Sequence, residues 1–286
     1  MLFKHVYFHA KYAIIAASYP RRKTFIFIQR RISVSGKKTV SLVLILILVA
    51  TILNGCGAVG AKKVIVATDA TWAPFEFVDE KTKAIVGFDI DLMNAIAKEA
   101  GFQVEYKNVP FDPLLAGMAS GQYDAAISSI TITEERKKNM LFSDPYFAAG
   151  QLVVVQSSNT TIKSQADLKG KKVGAQVGTT GAEEAQNLGA VLKTYDDIGS
   201  AYLDLVNGQI EAVVADNPLA IGYVRKYEGK LKAVGQPFTN EQYGIAVKKG
   251  NEKLLADINR GLKAVQDKGL IKEYEQKWMS WFAQNQ

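Results

Sequence analysis

The sequence predicts an α/β protein of two lobes, each a mostly parallel sheet flanked by helices. From residue 62 onward, β-branched runs alternate with helical patterns, an order typical of βαβ units. The segment SGQYDAAI at residues 120–127 is echoed by NGQIEAVV at 207–214, and each follows an amphipathic helical pattern. The tripeptide KKV likewise opens a strand pattern at residue 62 and another at residue 171. These repeats favour two similar units, with chance similarity of common helix–turn–strand elements as the alternative.

In the first unit, the β-branched run at residues 62–68 predicts a strand. Residues 89–100 place apolar residues at helical spacing, and we expect Asp89 at the N-cap and Gly101 just past the last turn. The other elements predicted here are a strand at 104–107, a helix at 113–120, a strand at 124–128 and a helix that begins after Thr133.

In the second unit, the same reasoning predicts a strand that begins at residue 171, a helix at 201–206 and a buried strand that follows residue 207. Helices at 252–267 and 270–282 are expected near the C-terminus.

Polar residues collect where the predicted strands end. In open α/β sheets, ligands bind beyond the carboxyl ends of the strands. We therefore expect one cleft formed by the segments 69–72, 129–131, 176–180 and 215–216.

The basic charge belongs to the first 55 residues. The chain of 286 residues has 35 Lys and Arg against 28 Asp and Glu, a formal charge of +7. Nine of the basic residues and none of the acidic ones precede Cys56, which leaves 26 basic against 28 acidic residues from there on. We therefore expect no nucleic-acid partner.

Histidine and cysteine are confined to the same leading segment. His5 and His9 are the only two histidines, and Cys56 is the only cysteine. Residues 57–286 therefore cannot supply a Ser-His-Asp triad, a Cys-His pair, a zinc site with His or Cys ligands, or a disulfide. We expect no metal and no cofactor. The P-loop pattern G-x-x-x-x-G-K-[ST] is also missing, which argues against an ATPase.

Residues 1–55 are interpreted as a leader with a lipoprotein signal peptide. The apolar run at 40–53 has 14 residues, whereas a membrane span needs about 20. It follows basic residues and ends in Leu-Asn-Gly-Cys56, which resembles the lipobox of bacterial lipoproteins, in which the Cys becomes the lipid-modified first residue. A buried helix with a chance Cys is the alternative.

The segments on either side of the signal peptide differ in how well they fit this interpretation. Residues 56–61 are expected to form a flexible tether between the lipid and the folded part. Residues 1–34 make the basic n-region too long for a signal peptide, so we expect the true start of the protein near residues 33–40.

Six short motifs carry a family resemblance. They are DATWAPFEF (69–77), GFDIDL (87–92), ITITEER (130–136), FSDPY (142–146), DLKG (167–170) and VGTTG (177–181). Each is weak alone, but in this order and spacing they resemble the polar amino-acid-binding proteins of ABC importers, the extracellular solute-binding proteins of family 3. The resemblance covers about residues 62–282.

The resemblance implies a type II periplasmic-binding-protein fold, in which two lobes joined by two hinge strands close over an amino acid. Lobe 1 would comprise residues 62–147 and 243–286, and lobe 2 residues 151–238. The chain would cross between the lobes near 146–150 and 239–243.

The resemblance also implies which groups hold the backbone of the amino acid. Arg136 matches the carboxylate-binding Arg, whose planar guanidinium can hold both oxygens. Asp216 matches the residue that accepts the α-ammonium, and Ser129, Thr131 and Thr179 would add hydroxyl or backbone contacts. Spacing alone also allows Arg136 to be a surface residue paired with a neighbouring Glu, and Asp216 to be a turn residue before Asn-Pro.

Asp69, Trp72 and Phe111 are implied to meet the side chain of the ligand. Trp72 and Phe111 align with the aromatic walls of the family, which can sandwich a flat amide or guanidinium. Core packing is the alternative role for both rings. Asp69 is opposite the backbone-binding groups and favours a cationic or donor-rich tip.

Two positions depart from the glutamine-binding pattern. Gln176 replaces a Lys, and Ala215 replaces a His. Without the Lys, the negative charge of Asp69 lacks a counter-charge, which favours arginine or lysine as the ligand. Gln176 can also bond an amide, so glutamine stays open.

The expected function is that of a monomeric substrate-binding lipoprotein. It would be exported, lipid-anchored at the cell membrane, and would deliver a polar amino acid to an ABC permease with its ATPase subunit. The alternative is an enzyme on the same scaffold, such as a cyclohexadienyl dehydratase with Asp69 as general acid. Because the sequence ends at Gln286 and has no second apolar span, we expect neither a fused lytic transglycosylase nor a sensor ectodomain.

Overall fold

A computed structural model describes residues 62–280 of the chain. The signal peptide, the lipid-modified Cys56 and the tether predicted above lie outside the described residues, as do residues 281–286. The described part begins with β1 (Lys63–Thr68), β2 (Thr71–Trp72), β3 (Glu76–Val78), β4 (Ile85–Val86), α1 (Phe88–Ala100), β5 (Gln103–Asn108), α2 (Phe111–Ser120), β6 (Ala125–Ala126), α3 (Glu134–Lys137), β7 (Met140–Phe142) and β8 (Phe147–Ala149). It continues with β9 (Gln151–Gln156), a 3₁₀ turn (Gln165–Leu168), β10 (Lys172–Gln176), α4 (Thr180–Asn187), β11 (Val191–Tyr195), α5 (Ile198–Val206), β12 (Ala212–Asp216), α6 (Asn217–Lys226), β13 (Leu231–Val234), β14 (Glu241–Tyr243), β15 (Ala246–Lys248), α7 (Glu252–Asp267) and α8 (Leu270–Met279).

Two five-stranded sheets form the framework. The first has the strand order β5–β1–β6–β15–β7, and the second has the order β11–β10–β12–β9–β13. In each sheet four strands run in one direction, and the fourth in the order, β15 or β9, runs against both neighbours. Helices pack against both sheets. The predicted fold class, mostly parallel sheets flanked by helices, is confirmed.

The repeated sequence segments occupy equivalent places in the two sheets. The segment SGQYDAAI joins α2 to β6, NGQIEAVV joins α5 to β12, and both strands take the central place. Each turn contains a glycine in the left-handed conformation, Gly121 at φ 75° and Gly208 at φ 71°. The two KKV segments lead into β1 and β10, which both take the second place.

The chain passes between the sheets twice, through two paired strands. β8 lies in sequence between β7 of the first sheet and β9 of the second, and β14 lies between β13 of the second sheet and β15 of the first. β8 and β14 pair antiparallel, with Phe147 opposite Tyr243 and Ala149 opposite Glu241. A two-stranded ribbon thus connects the two sheets.

The apolar core of the first sheet lies between β1 and the helices α1 and α7. Leu92, Met93 and Ile96 of α1 and Ile258 and Leu262 of α7 are almost completely buried. Each of these side chains stabilises the fold by about 1.5–3 kcal/mol through removal of apolar surface from water. The second sheet has its own apolar clusters on β9, β12, α5 and α6.

Most predicted helices agree with the structure to within two or three residues at their ends, but Asp89 is not an N-cap. α1 begins at Phe88, and Gly87 occupies the cap position at φ 137°. A Cβ on Gly87 would lie 2.1 Å from the carbonyl oxygen of Phe75, so only glycine fits there. The side chain of Asp89 instead lies in the interior, where it accepts a hydrogen bond from the backbone N–H of Ser129. Gly101 does follow the last turn in the left-handed conformation, as predicted.

The strand predicted at 124–128 is shorter in the structure. β6 includes only Ala125 and Ala126, because the chain then leaves the sheet and Ser129 adopts a left-handed φ of 47°. Within residues 62–280, no helix is both long enough and apolar enough to cross a bilayer.

Candidate functional site

The strand ends meet around one small, tightly closed cavity. Its lining residues are Trp72, Phe111, Ser129, Thr131, Arg136, Thr179, Thr180 and Asp216. All of these except Thr180 are among the site residues predicted from the sequence. The two other predicted residues, Asp69 and Gln176, bond to each other, and Gln176 also accepts a hydrogen bond from Trp72.

Arg136 is a buried cation that forms no ion pair within residues 62–280. The short helix α3 holds it, and the hydroxyl of Thr133 caps this helix by accepting the backbone N–H of Arg136 at 3.1 Å, as predicted. The guanidinium donates to the carbonyl oxygens of Thr131 (2.8 Å) and Gly178 (2.9 Å). Burial lowers the pKa of Arg136, and nearby acidic residues oppose this effect. A partly uncompensated cation of this kind favours an anionic partner.

The surface role considered for Arg136 does not match its environment. Glu134 pairs with Lys137, and Glu135 pairs with Lys138, both on the exposed side of α3. Arg136 itself is only 9 % exposed. The neighbouring glutamates are therefore occupied by lysines, and the guanidinium faces the cavity.

Two aromatic rings form one wall of the cavity. The rings of Trp72 and Phe111 stack with centroids 6.1 Å apart and an interplanar angle of 24°. The Cζ atom of Arg136 lies 5.4 Å from the centroid of the Phe111 ring, a cation–π distance. Both rings also belong to apolar clusters, so the same side chains pack in the core and line the cavity.

Asp69 and Gln176 connect the two sheets beside this wall. Asp69 directly follows β1, and Gln176 is the last residue of β10. The amide nitrogen of Gln176 donates to Asp69 Oδ2 at 2.7 Å, and its amide oxygen accepts the indole N–H of Trp72. Burial raises the pKa of Asp69, although hydrogen bonds from Gln176 and Thr71 act in the opposite direction.

Asp216 is a buried carboxylate held by neutral donors. It is the last residue of β12, and its two oxygens accept from Gln151 Nε2 at 2.7 Å and from the hydroxyl of Tyr243 at 2.5 Å. Burial, with a further contribution from Glu241, raises the pKa of Asp216 to about 7. Because its hydrogen-bond donors are neutral and do not balance its negative charge, Asp216 favours a cationic partner.

The three predicted hydroxyl residues have different environments. The hydroxyl of Ser129 is buried and has no hydrogen-bond partner within the described part of the chain. Thr131 donates its hydroxyl to Glu241 and its carbonyl oxygen accepts from Arg136. Thr179 caps α4 by accepting from the backbone N–H of Ala182 and donates to the carbonyl oxygen of Gln176. Ser129 is thus the hydroxyl of the three that is unsatisfied.

Sequence reasoning missed four residues that complete the site. Thr180 lines the cavity, Gln151 and Tyr243 donate hydrogen bonds to Asp216, and Glu241 accepts from the same amide of Gln151. The carboxylate of Glu241 accepts four hydrogen bonds, whose donors are Thr131, Thr180, Thr239 and Gln151. Thr180 lies within the predicted cleft segment 176–180 but was not named as a contact, and the other three lie in or next to the predicted crossings.

The cavity therefore offers a cation, an anion, stacked rings and an unsatisfied hydroxyl. Arg136 suits a carboxylate, and Asp216 suits an ammonium group, so the pair is complementary to a zwitterion. Within residues 62–280, no group of three or more His, Cys, Asp or Glu residues is arranged to hold a metal ion.

Two sheets that are joined by a two-stranded ribbon and carry a polar cavity between their strand ends define a two-lobed solute-binding protein. The chain belongs to the bacterial extracellular solute-binding proteins, family 3, whose family model matches residues 64–280. The family predicted from the six motifs is confirmed.

Relatives with known ligands are similar over most of their length. The L-cystine-binding protein TcyJ of Escherichia coli (strain K12) is 36% identical over 217 residues, which cover 75% of this chain and 81% of the relative. An ancestral arginine-binding protein, solved with arginine and also with glutamine, is 45% identical with a TM-score of 0.72; the match with the arginine-bound structure covers 76% of this chain and 98% of the other. The ancestral amino acid-binding protein AncCDT-1, a precursor of cyclohexadienyl dehydratase, is 38% identical with a TM-score of 0.70. The match covers 76% of this chain and 95% of the other.

Proposed function

We propose that this protein binds a free polar amino acid between its two lobes and delivers it to an ABC permease with its ATPase subunit. Arginine or lysine is favoured as the ligand, with glutamine close behind. The observation that carries the proposal is the buried Arg136, which lines the same cavity as the buried carboxylate of Asp216. Only a ligand with both a carboxylate and an ammonium group satisfies the two at once.

Each end of the ligand has its own set of proposed contacts. Arg136 would hold the α-carboxylate in a forked pair of hydrogen bonds, with Ser129 as an additional donor. Asp216 would accept the α-ammonium. Trp72 and Phe111 would enclose the side chain, with Asp69 at its far end.

The preference for a basic ligand depends on Asp69 and Gln176. Gln176 is neutral, so the negative charge of Asp69 has no cationic partner within residues 62–280. A guanidinium or ammonium tip supplies that partner. The relatives named above include an arginine-binding protein solved with either arginine or glutamine, which supports keeping both ligands in the proposal.

The proposed mechanism is closure about the two crossing segments at 146–150 and 239–243, between lobe 1 (62–147 and 243–286) and lobe 2 (151–238). Arg136 and Ser129 belong to lobe 1, and Asp216 belongs to lobe 2. A zwitterion that contacts both lobes stabilises the closed form, which shifts the population toward it. We further propose that Cys56 carries the lipid that anchors the exported protein, as a monomer, to the membrane.

A second candidate function is a dehydratase on the same scaffold. The similarity to the precursor of cyclohexadienyl dehydratase favours keeping this candidate. In that case a buried carboxyl with a raised pKa, such as Asp69, would serve as the general acid.

A thermal-shift screen of the full-length chain against the twenty amino acids tests the proposal. Ligands that bind the folded state raise its melting temperature by mass action. A shift with arginine or lysine supports the basic preference, and a shift with glutamine alone makes Gln176 the amide partner. If no amino acid shifts the melting temperature, the proposal fails, and an assay for dehydratase activity becomes the next experiment.

A further inference from the structure

Two carboxyl groups lie together in the interior, next to the segment that carries Ser129. Glu76 of β3 and Asp89 of α1 are both 0 % exposed. Neither forms an ion pair with a Lys or Arg anywhere in residues 62–280. Two adjacent buried carboxylates without a cation are strongly unfavourable, so the pair needs another source of compensation.

The two groups hold two separate segments of the chain, each of which carries a proposed ligand contact. The hydroxyl of Ser128 donates to Glu76 Oε1 at 2.9 Å and accepts the backbone N–H of Asp69 at 3.0 Å. The backbone N–H of Ser129 donates to Asp89 Oδ2 at 2.9 Å. The backbones of Asp69 and Ser129, two proposed ligand contacts, are therefore both anchored to this pair.

Asp89 also reaches the ribbon between the sheets. The hydroxyl of Tyr146, which directly precedes β8, donates to Asp89 Oδ2 at 2.8 Å. A carboxylate oxygen that accepts both a backbone N–H and a tyrosine hydroxyl is stabilised as an anion. Asp89 is therefore the member of the pair suited to carry the negative charge.

The two remaining carboxyl oxygens of the pair indicate that one of the groups is protonated. Glu76 Oε2 and Asp89 Oδ1 are buried and are the atoms of the two groups left without a donor from the described residues. A proton on one of them satisfies both oxygens and leaves a single negative charge. Burial and the adjacent Asp89 raise the pKa of Glu76 well above its ordinary value, while burial raises the pKa of Asp89 to about 6. Glu76 is therefore the member that retains the proton.

We infer that Glu76 is a neutral acid whose Oε2–H donates to Asp89 Oδ1, and that this pair positions Asp69 and Ser129 for the ligand. Glu76 and Asp89 are positioning residues, since they act through Ser128 and the backbone of Ser129. The functional part of the inference rests on the proposed amino-acid binding, whereas the location of the proton does not.

The conformation of Ser129 shows why such support is needed. Ser129 has a φ of 47°, a left-handed conformation that is strained for a residue other than glycine and persists only where its surroundings hold it. Its N–H bond to Asp89 fixes this conformation and leaves its hydroxyl free for a ligand.

Infrared spectroscopy of the full-length chain tests the location of the proton. At pH 8.5, where Asp216 is ionised, the wild type should show the C=O band of a buried carboxylic acid. The band should vanish in Glu76→Gln and persist in the matched exposed variant Glu228→Gln. A wild type without the band, or a band that survives Glu76→Gln, overturns the inference.

Binding of L-arginine tests the positioning role. Glu76→Gln keeps a donor toward Asp89, so its affinity should stay within about twofold of the wild type. In Asp89→Asn, an amide can face the acid of Glu76 with its N–H groups, so that two donors meet. The affinity of this variant for L-arginine should fall about tenfold or more, which corresponds to about 1.4 kcal/mol. Any other pattern, including equal loss or equal retention in the two variants, contradicts the assigned roles.

A third variant covers the case in which Asp89→Asn does not fold. Ser128→Ala removes the connection between Glu76 and the backbone of Asp69, and it should weaken L-arginine binding about tenfold in a folded protein. Unchanged affinity overturns the positioning role. If the wild type binds none of the twenty amino acids, the proposed function fails, while the infrared band still decides where the proton lies.

Discussion

Gln176 and Asp69 form a hydrogen bond of 2.7 Å between the strand ends of the two sheets. The same amide accepts from Trp72 and donates to the carbonyl oxygen of Asp196 at 2.8 Å, so it fixes the aromatic wall and the acidic group together. Because the bridge is neutral, it orients Asp69 without cancelling its charge. The net charge of this pair of side chains is therefore set by the residue at position 176.

Replacing Gln176 by Lys should reverse the ligand preference. The new ammonium would pair with Asp69 and repel a cationic tip. We expect arginine affinity to fall about tenfold or more relative to glutamine affinity, measured by isothermal titration calorimetry. A variant with an unchanged arginine-to-glutamine ratio would show that Asp69 does not contact the ligand tip.

Replacing Arg136 by Ala should cost about 2–5 kcal/mol of binding free energy, because the ligand carboxylate would be buried without its partner. The matched control is Arg260→Ala, since Arg260 lies on the exposed surface of α7 and pairs with Asp257. Calorimetry on the two variants should show the loss only for Arg136. Equal affinity in both would remove the carboxylate assignment.

Ligand binding should depend on pH through Asp216. Its pKa in the ligand-free fold is about 7, above the ordinary 3.8, so protonation stabilises the folded form at acid pH and this contribution is lost as the pH rises through 7. A ligand with an ammonium group needs the ionised form of Asp216, so affinity rises with pH while this contribution to folding stability falls. We expect affinity to fall about tenfold from pH 8 to pH 6.

Asp216→Asn is the control for this titration, because Asp69 also has a raised pKa. The variant should bind the ligand weakly, and its affinity should change much less than that of the wild type between pH 6 and pH 8. A profile as steep as that of the wild type would assign the titration to another group.

Gly87→Ala should destabilise the fold by about 3 kcal/mol or more, because the new Cβ would lie 2.1 Å from the carbonyl oxygen of Phe75. Gly229→Ala is a matched control with a left-handed φ of 77° but no atom within 4 Å of the new Cβ. It should cost only about 1 kcal/mol. Urea denaturation curves measure both values, and equal losses would show that the steric contact at Gly87 is relieved.

The sequence was sufficient for the parts of the fold that depend on local patterns. Alternating strands and helices, the glycine turns and the Thr133 cap are encoded within a few neighbouring residues, and they agree with the structure. Asp89 shows the limit of such patterns. An Asp at a helix start is a common N-cap, but here contacts with Ser129 and Tyr146, 40 and 57 residues away, determine its orientation.

The residues of the candidate site likewise include some that local patterns mark and others that only distant contacts reveal. Asp216 and Arg136 could be named as candidates, because Asp216 ends a predicted strand and Arg136 ends a family motif. Gln151 and Glu241 could not, since their importance depends on the distant partners that they contact, up to 110 residues away for the bond between Glu241 and Thr131. Polar networks of this kind are visible only once the fold brings their members together.

The most direct test of the central claim compares L-arginine with agmatine, which is arginine without its α-carboxylate, by calorimetry on the full-length chain. If Arg136 holds the carboxylate while Asp216 holds the ammonium, arginine should bind, and agmatine should bind about a hundredfold more weakly or not at all. Agmatine that binds as tightly as arginine would contradict recognition of the amino-acid backbone, and so would a protein that binds neither arginine nor any other amino acid.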